Sequence, residues 1–461
     1  MVEGEGSITM TGLTLSRRFQ IVIACLFPVA LLALAGCSGT GGYEIDMMPS
    51  PDVFEEGTVD PFIGAIPADE LPYDGMLYAT DRKPAAEGAS QHYYLNERGQ
   101  VLRLGVAEVE LVRDDLTWEE ARRISLLKDR NQTIPIRISG LTEFGVLDRT
   151  ATELMAPETL LQEGRPASEV FAEKVNAKLA RSRTKDVYIY VHGYRAIFEN
   201  PTLVASELWH YLGYRGVFIA YAWPSTPSPW AYLRDIDTAA GYARHLRIFL
   251  QYLAEETNAE QIHLVGYSMG TRIVTRAVAQ LALMHHEYSP EELQRKLRIG
   301  HVILAGSDLD RQVASQYLAD GFLEVPRHLS IYMSSRDRAL GMSRFLTRRK
   351  RLGEMWSEGT LANRVADYLH EREADLSAIY VTAAEGATTG NGHAYFRDSP
   401  WVSSDILMTL AYDLPPNDRG LVRNDEDTPI WAFPPDYIDR LRVALIKANP
   451  EYGRALSEIG E

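Results

Sequence analysis

One serine of the chain stands between two glycines, in the run Gly266-Tyr-Ser-Met-Gly270. The run follows the apolar segment Ile262 to Val265 and precedes Thr271 to His286, whose apolar residues recur at helical spacing. A sharp turn from strand to helix lifts a serine hydroxyl clear of the sheet, and small glycines permit that turn. We therefore predict that Ser268 is a nucleophile; the alternative is a glycine-rich turn with a solvent-facing serine.

A serine hydroxyl becomes a good nucleophile only when a histidine accepts its proton and a carboxylate orients that histidine. His393 lies in a glycine-rich loop, Thr389 to Phe396, directly after the last strand-like run. Its competitor, His192, ends the first strand of the parallel series. Because a histidine at that point more often shapes the loop than transfers protons, we predict His393 as the base.

Two aspartates follow neighbouring strand-like runs and could orient the histidine. Asp337 follows Leu329 to Met333, and Asp308 follows the preceding run. Either could instead cap the N-terminus of a helix. Asp337 gives the order serine, aspartate, histidine on three successive strand ends, so we predict Asp337 as the acid and keep Asp308 as the alternative.

Attack on a carbonyl also requires two N–H donors for the oxyanion. Met269, directly after the serine, is expected to provide one backbone amide, and Tyr194, after His192-Gly193, the other.

Apolar strand-like runs alternate with helical segments in the second half of the chain. This alternation predicts an α/β fold, a doubly wound and mostly parallel sheet with helices on both faces. The runs are Val187 to Val191, Val217 to Trp223, Ile262 to Gly266, Val302 to Gly306, Leu329 to Met333 and Ala378 to Thr382. Before them, Gly75 to Asp81 and Val101 to Arg113 alternate like paired strands.

The N-terminus has the pattern of a secretory leader. Arg17-Arg18 precedes an uncharged apolar stretch, Phe19 to Gly36, which ends at Cys37. Small residues before a cysteine resemble a bacterial lipoprotein box, in which the cysteine is acylated and becomes the first mature residue. The alternatives are a transmembrane helix and a twin-arginine signal. Glu3 and Glu5 are unusual in a basic leader, which makes Met10 an alternative start.

Composition narrows the possible partners. The chain has 461 residues and a net charge of −16, which disfavours nucleic acid. Its two cysteines are Cys25 and Cys37, so we expect no disulfide and no cysteine ligand for a metal, and we expect no cofactor. The basic run 348–351 is interpreted as a solvated face. The membrane is expected to be contacted through the N-terminal lipid alone, with the outer membrane favoured.

These motifs together resemble the alpha/beta-hydrolase superfamily, and most closely a bacterial esterase/lipase-like branch of unassigned substrate. The resemblance implies Ser268 as nucleophile, Asp337 as acid and His393 as base. The sequence departs from the expected pattern at Gly-Ser-Asp308, where Ala-Pro-Asp is expected, and at Tyr194, where phenylalanine is commoner. The matching motifs are Tyr78 to Arg82, Val191 to Tyr194, Ala222 to Ser225, Gly266 to Gly270, Ser334 to Leu340 and Gly392 to Phe396.

The predicted organisation is a signal peptide over 1–36, a flexible tether over 37–72 and the hydrolase domain over 73–461. Within that domain we expect an N-terminal strand elaboration over 73–150 and a possible cap over 344–376.

The predicted activity is cleavage of a small carboxylic ester through an acyl-enzyme. An amidase, peptidase or thioesterase with the same residues is one alternative, and a non-catalytic binding protein on the same scaffold is another. A lipase acting at the membrane would need an exposed apolar lid, and Arg344 to Glu373 is strongly charged for one.

Overall fold

The structure is a computed structural model that describes residues 42–57, 59–70, 75–86, 93–127, 130–154, 164–354, 363–424 and 429–449. The proposed signal peptide and Cys37 lie outside these residues, so the predictions for them stay predictions. Residues Tyr43–Glu461 form one compact unit. Among the described residues, no helix has both the length and the apolar composition that are needed to cross a bilayer.

One mixed sheet organises the compact unit. In the described residues it has twelve strands in the order β1-β4-β3-β2-β6-β5-β7-β8-β9-β10-β12-β11. The seven strand pairs from β2 to β12 are parallel, whereas β1 to β4 pair antiparallel at one edge and β11 pairs antiparallel with β12 at the other. The strands are β1 Glu44–Asp46, β2 Met76–Pro84, β3 Tyr94–Leu111, β4 Pro135–Val146, β5 Asp186–Val191, β6 Val217–Ala222, β7 Gln261–Tyr267, β8 Ile299–Ala305, β9 His328–Met333, β10 Leu376–Tyr380, β11 Val422–Arg423 and β12 Ile430–Ala432.

Helices cover both faces of this sheet. They are α1 Trp118–Ser125, α2 Ala167–Arg181, α3 Glu199–Tyr211, α4 Tyr232–Glu256, α5 Gly270–Met284, α6 Pro290–Leu297, α7 Arg311–Ala319, α8 Arg338–Thr347, α9 Asn363–Glu371, α10 Tyr395–Asp398, α11 Pro400–Tyr412 and α12 Tyr437–Ala448. Because side chains alternate along a strand, Val187 and Ile189 of β5 join the core under α2, α4 and α5. Tyr188 and Tyr190 join the core under α3, α11 and α12. The predicted α/β fold with helices on both faces is confirmed.

The segment that we predicted to be a flexible tether is packed over residues 43–57. Strand β1 pairs with β4, and Met47, Met48, Val53 and Phe54 are buried. The backbone N–H of Met48 donates to the carboxylate of Glu207 in α3 at 2.9 Å. These apolar residues are scattered without a helical or strand period, and for this reason the sequence pattern did not predict their burial.

Two further predictions concern segments around the parallel sheet. The antiparallel strands β2, β3 and β4 lie within the predicted elaboration over 73–150. Of the possible cap over 344–376, the structure describes 344–354 and 363–376, which include the end of α8 and all of α9. Residues 355–362 lie outside the described residues, so a cap stays a prediction.

Candidate active site

Ser268 occupies the tight turn between β7 and α5. Its φ of 52° is in the left-handed region that non-glycine residues rarely adopt. The turn is held by the Ser268 N–H, which donates to the carbonyl oxygen of Ala305 in β8 at 2.9 Å. A side chain on Gly270 would overlap the carbonyl oxygens at the end of β5. This glycine therefore lets α5 begin close enough to β5 to form the turn that the motif predicts.

The imidazole of His393 bridges Ser268 and Asp337. Its Nε2 lies 2.8 Å from the Ser268 Oγ, and its Nδ1 lies 2.6 Å from the Asp337 Oδ2. Since the carboxylate accepts from Nδ1–H, the neutral ring has Nε2 free to accept the serine proton. The loop that carries the histidine is ordered locally, because the His393 N–H donates to the Asn391 Oδ1 at 3.1 Å.

Asp337 has two structural roles at once. It follows β9 and caps α8, because its Oδ1 accepts from the Leu340 N–H at 2.9 Å. Its other oxygen accepts from His393, and its side chain has no exposed surface. Helix capping and histidine orientation, which the sequence presented as alternatives, are both features of this carboxylate.

Asp308, the alternative acid, belongs to a different cluster. It pairs with Arg272 at 3.1 Å and with Arg351 at 3.3 Å. It also accepts from the hydroxyls of Tyr232, at 2.8 and 3.0 Å, and Ser343, at 2.5 Å. All its recorded side-chain partners lie in this cluster, and the structure brings Asp337, not Asp308, to the histidine.

His192 is buried in the interior, and its ring nitrogens face backbone carbonyls rather than Ser268. Its ring stacks on Trp223 with centroids 5.2 Å apart, and its two nitrogens face the carbonyl oxygens of Trp223 and Gly193 at 3.0 and 2.7 Å. Burial, with the nearby charge of Arg82, lowers its pKa to about 3. The ring is therefore neutral at pH 7, and it can donate to one of the two carbonyls but not to both.

The two predicted oxyanion donors flank the serine. In the part of the chain that the structure describes, the backbone N–H groups of Tyr194 and Met269 donate to no other protein group. The loop with Tyr194 lies against the nucleophile, because a Cβ on Gly193 would be 2.9 Å from the Ser268 Cβ. Neither amide is thus occupied by a protein acceptor among the described residues.

Sequence reasoning did not assign roles to two residues that hold this loop. The buried Arg82 donates through Nη2 to the carbonyl oxygen of Ala196 at 2.8 Å. The Ser225 hydroxyl accepts from the Ala196 N–H at 3.1 Å and donates to its carbonyl at 2.9 Å. Both residues lie in motifs that carry the family resemblance, which marks them as candidates for a role at the site. The contacts that they make with Ala196 were not predictable from the sequence.

A cavity of about 370 Å³ opens beside Asp337 and the histidine loop, lined in part by Arg336, Arg338 and Asn391. A larger cavity of about 940 Å³ lies elsewhere, between α1 and the N-terminal segment, and no site residue lines it. The candidate site is therefore identified by the geometry of Ser268, His393 and Asp337 and not by the volume of a cavity.

Comparisons with known proteins bear on the fold and the family. No protein with curated annotation matches the chain. An inhibited esterase B from Lactobacillus rhamnosis is similar to it at 14% identity, over 50% of this chain and 78% of that chain, with a TM-score of 0.30. The model of the family described as "Alpha/beta hydrolase of unknown function (DUF900)" matches residues 167–409, which are more than half of the chain and include Ser268, Asp337 and His393. The chain is therefore a member of this alpha/beta-hydrolase family.

Proposed function

We propose that the protein is a serine hydrolase that cleaves a carboxylic ester through an acyl-enzyme on Ser268. The observation that carries the proposal is the pair of short contacts on His393, 2.8 Å to the serine and 2.6 Å to Asp337. A neutral imidazole between a hydroxyl and a carboxylate is the arrangement that general-base activation of serine requires.

In the acylation step, the Nε2 of His393 takes the hydroxyl proton while the Ser268 Oγ bonds to the ester carbonyl carbon. The resulting oxyanion accepts from the amides of Met269 and Tyr194. Asp337 stabilises the imidazolium that has formed. Collapse of the intermediate breaks the bond to the alcohol oxygen, and the histidine gives its proton to the departing alcohol.

In the deacylation step, water takes the place of the alcohol. His393 accepts a proton from the water as its oxygen attacks the acyl carbon. Collapse returns the proton to Ser268 and releases the carboxylic acid. Every proton moves between the histidine and a reacting oxygen, so the cycle needs no further reactant.

An amide or a thioester could react by the same steps, because the nucleophile does not determine the leaving group. We favour an ester because an alcohol departs more easily than an amine from the same intermediate. A non-catalytic binding protein is the remaining alternative. Binding alone would not require a serine that is hydrogen-bonded to a histidine, nor backbone amides without a protein acceptor at Tyr194 and Met269. These features therefore favour the hydrolase.

The test is labelling by a fluorophosphonate probe, together with hydrolysis of p-nitrophenyl acetate, butyrate and decanoate. The wild-type protein is expected to label and turn over, and Ser268→Ala and His393→Ala are expected to lose both. Ser315→Ala and His286→Ala are the matched controls, because both side chains are exposed and their partners, Gln312 and Glu287, are not residues of the site. A folded wild-type protein that neither labels nor hydrolyses would favour the binding-protein alternative.

We further propose that a lipid on Cys37 anchors the domain in the bacterial cell envelope, with the outer membrane favoured. The proposal depends on the sequence pattern before Cys37. Mass spectrometry of the mature protein is expected to find an acylated cysteine at its N-terminus, and Cys37→Ala is expected to abolish the modification. An unmodified, uncleaved N-terminus would contradict it.

A further inference from the structure

Helix α8, which begins directly after Asp337, buries one face and exposes apolar side chains on the opposite face. Leu340 and Ser343 point into the protein and are buried. Met342, Phe345 and Leu346 share the opposite face at helical spacing and are 59%, 78% and 49% exposed. An outer helix face of this composition is unusual, because soluble helices present polar residues to water.

A second group of exposed apolar side chains lies on a neighbouring element, in the 3-10 turn Pro229–Ala231 and the first turn of α4. Trp230 is 83% exposed and Leu233 is 59% exposed. Between them Tyr232 reaches α8, where its hydroxyl lies 2.5 Å from the Ser343 Oγ. Tyr232 thus joins the two elements through the buried face of α8. We call their five exposed side chains the apolar rim: Trp230, Leu233, Met342, Phe345 and Leu346.

Each of the two elements that carry the apolar rim contacts a residue of the candidate site. Asp337, which contacts His393, is the N-cap of α8. Tyr194, whose amide is a proposed oxyanion donor, packs edge-on against Tyr232 with ring centroids 5.5 Å apart. The elements that carry the rim are thus connected to residues of the candidate site.

The charge on the α8 side of the rim is the reverse of that of the whole chain, whereas on the α4 side Arg234 and Asp237 are both exposed. Between residues 335 and 350 the one acidic residue, Asp337, is buried, whereas the chain as a whole has a net charge of −16. The six cations of this stretch are exposed: Arg336, Arg338, Arg344, Arg348, Arg349 and Lys350. Arg344 pairs with Glu354 and Arg349 with Asp310. Among the described residues, the other four have no carboxylate partner.

We propose that the apolar rim docks on the surface of an anionic lipid bilayer. Apolar side chains surrounded by arginine and lysine are typical of protein segments that lie in the interface of a membrane. The three rim residues of α8 lie on the convex outer face of a helix rather than in a groove. A fluid lipid surface can close around a convex face, whereas a protein partner would need a matching cleft.

This inference goes beyond the proposed function, because docking does not depend on turnover. It also adds to the sequence-based expectation of membrane contact through the N-terminal lipid alone. The basic run 348–351, interpreted from sequence as a solvated face, is here part of a membrane-facing surface, except for Arg351, which is buried.

The test is flotation of the compact unit Tyr43–Glu461 with vesicles, in a Ser268→Ala background so that hydrolysis plays no part. The sheet and both cores lie within this unit, and it lacks Cys37. It is expected to bind vesicles of equimolar phosphatidylglycerol and phosphatidylcholine, and to bind pure phosphatidylcholine much more weakly.

Two variants and one control make the result specific. Phe345→Ser combined with Met342→Ser is expected to lower the partition coefficient by roughly tenfold or more, because the apolar contribution is removed. Arg348→Gln combined with Lys350→Gln is expected to lower it by about fivefold per charge on the anionic vesicles. Val443→Ser, at a side chain of α12 that is 68% exposed, is expected to leave binding unchanged.

Three outcomes would overturn the proposal. One is binding that does not depend on anionic lipid, and another is binding that the Val443→Ser control reduces as much as the rim variants do. The third is absence of vesicle binding together with a dimer that Phe345→Ser dissociates, which would show that a second copy of the chain covers the rim. None of these outcomes bears on labelling of Ser268, so docking and hydrolysis are tested separately.

Discussion

Gly193 lies so close to Ser268 that a Cβ on residue 193 would be 2.9 Å from the Cβ of the serine. We predict that Gly193→Ala displaces the loop that carries the Tyr194 amide. Loss of one oxyanion donor typically lowers kcat by about 10² to 10³-fold, and we expect a loss of this order. Steady-state hydrolysis of a p-nitrophenyl ester measures it.

Gly241→Ala is the matched control for this substitution. Gly241 lies within α4, and apart from its chain neighbours and the backbone of its own helix, no atom would lie within 4 Å of a Cβ there. Alanine is expected to stabilise the helix by about 0.5–1 kcal/mol without changing kcat. If Gly193→Ala retained full activity, the loop would not provide an oxyanion donor.

Asp337→Asn separates orientation of the histidine from capping of the helix. Asparagine is as good an N-cap as aspartate, so the hydrogen bond from Leu340 is expected to remain and the melting temperature to stay close to that of the wild type. The charge that orients and stabilises His393 is lost, and kcat is expected to fall by up to about 10⁴-fold. Parallel measurement of Tm and kcat makes the distinction.

Asp308→Asn is expected to have the opposite profile. The carboxylate is buried between Arg272 and Arg351, and breaking a buried ion pair costs about 3–5 kcal/mol. The variant should therefore melt at a clearly lower temperature, with a smaller loss of kcat than Asp337→Asn. A larger loss of kcat in Asp308→Asn would make Asp308 the acid instead.

The Ser225 hydroxyl both accepts from and donates to the backbone of Ala196. Ser225→Ala leaves a buried N–H and a buried carbonyl with one partner fewer, which we expect to cost about 1–3 kcal/mol of the free energy of unfolding. Because this loop also carries Tyr194, kcat is expected to fall while KM changes little. Urea unfolding and steady-state kinetics measure the two effects. Ser315→Ala, at an exposed serine of α7, should change neither quantity.

Local patterns were sufficient to predict the parallel sheet and the order of the three candidate residues. The strands β5 to β10 are short apolar runs. Ser268 directly follows β7 and Asp337 lies soon after β9, whereas His393 lies in the longer loop after β10. Such signals lie within a single stretch of sequence. They do not require knowledge of which distant segments meet.

Features that depend on distant contacts were not predictable in the same way. Arg82 and Ala196 are 114 positions apart, and no periodicity relates them. The burial of Met47 and Met48 depends on partners in β4 and α3. The exposure of the apolar rim was also not predictable from sequence. Phe345 has the hydrophobicity of a core residue, and its exposure follows from the orientation of α8.

Buried neutral histidines should make the protein less stable in mild acid. Burial lowers the pKa of His192, His210 and His263 to about 3 and that of His328 to about 4, against about 6.5 in an unfolded chain. Between these values the unfolded chain binds more protons, so stability is lost as the pH falls below 6.5. At pH 5 each group contributes about 2 kcal/mol of this loss. Urea unfolding at pH 7 and pH 5 measures this loss.

The difference between the free energies of unfolding at pH 7 and pH 5 is expected to shrink by about 2 kcal/mol in His263→Gln. His286→Gln, at a side chain that is 81% exposed, should leave this difference as it is in the wild type. An equal effect of both variants would contradict the assignment of the acid sensitivity to buried rings.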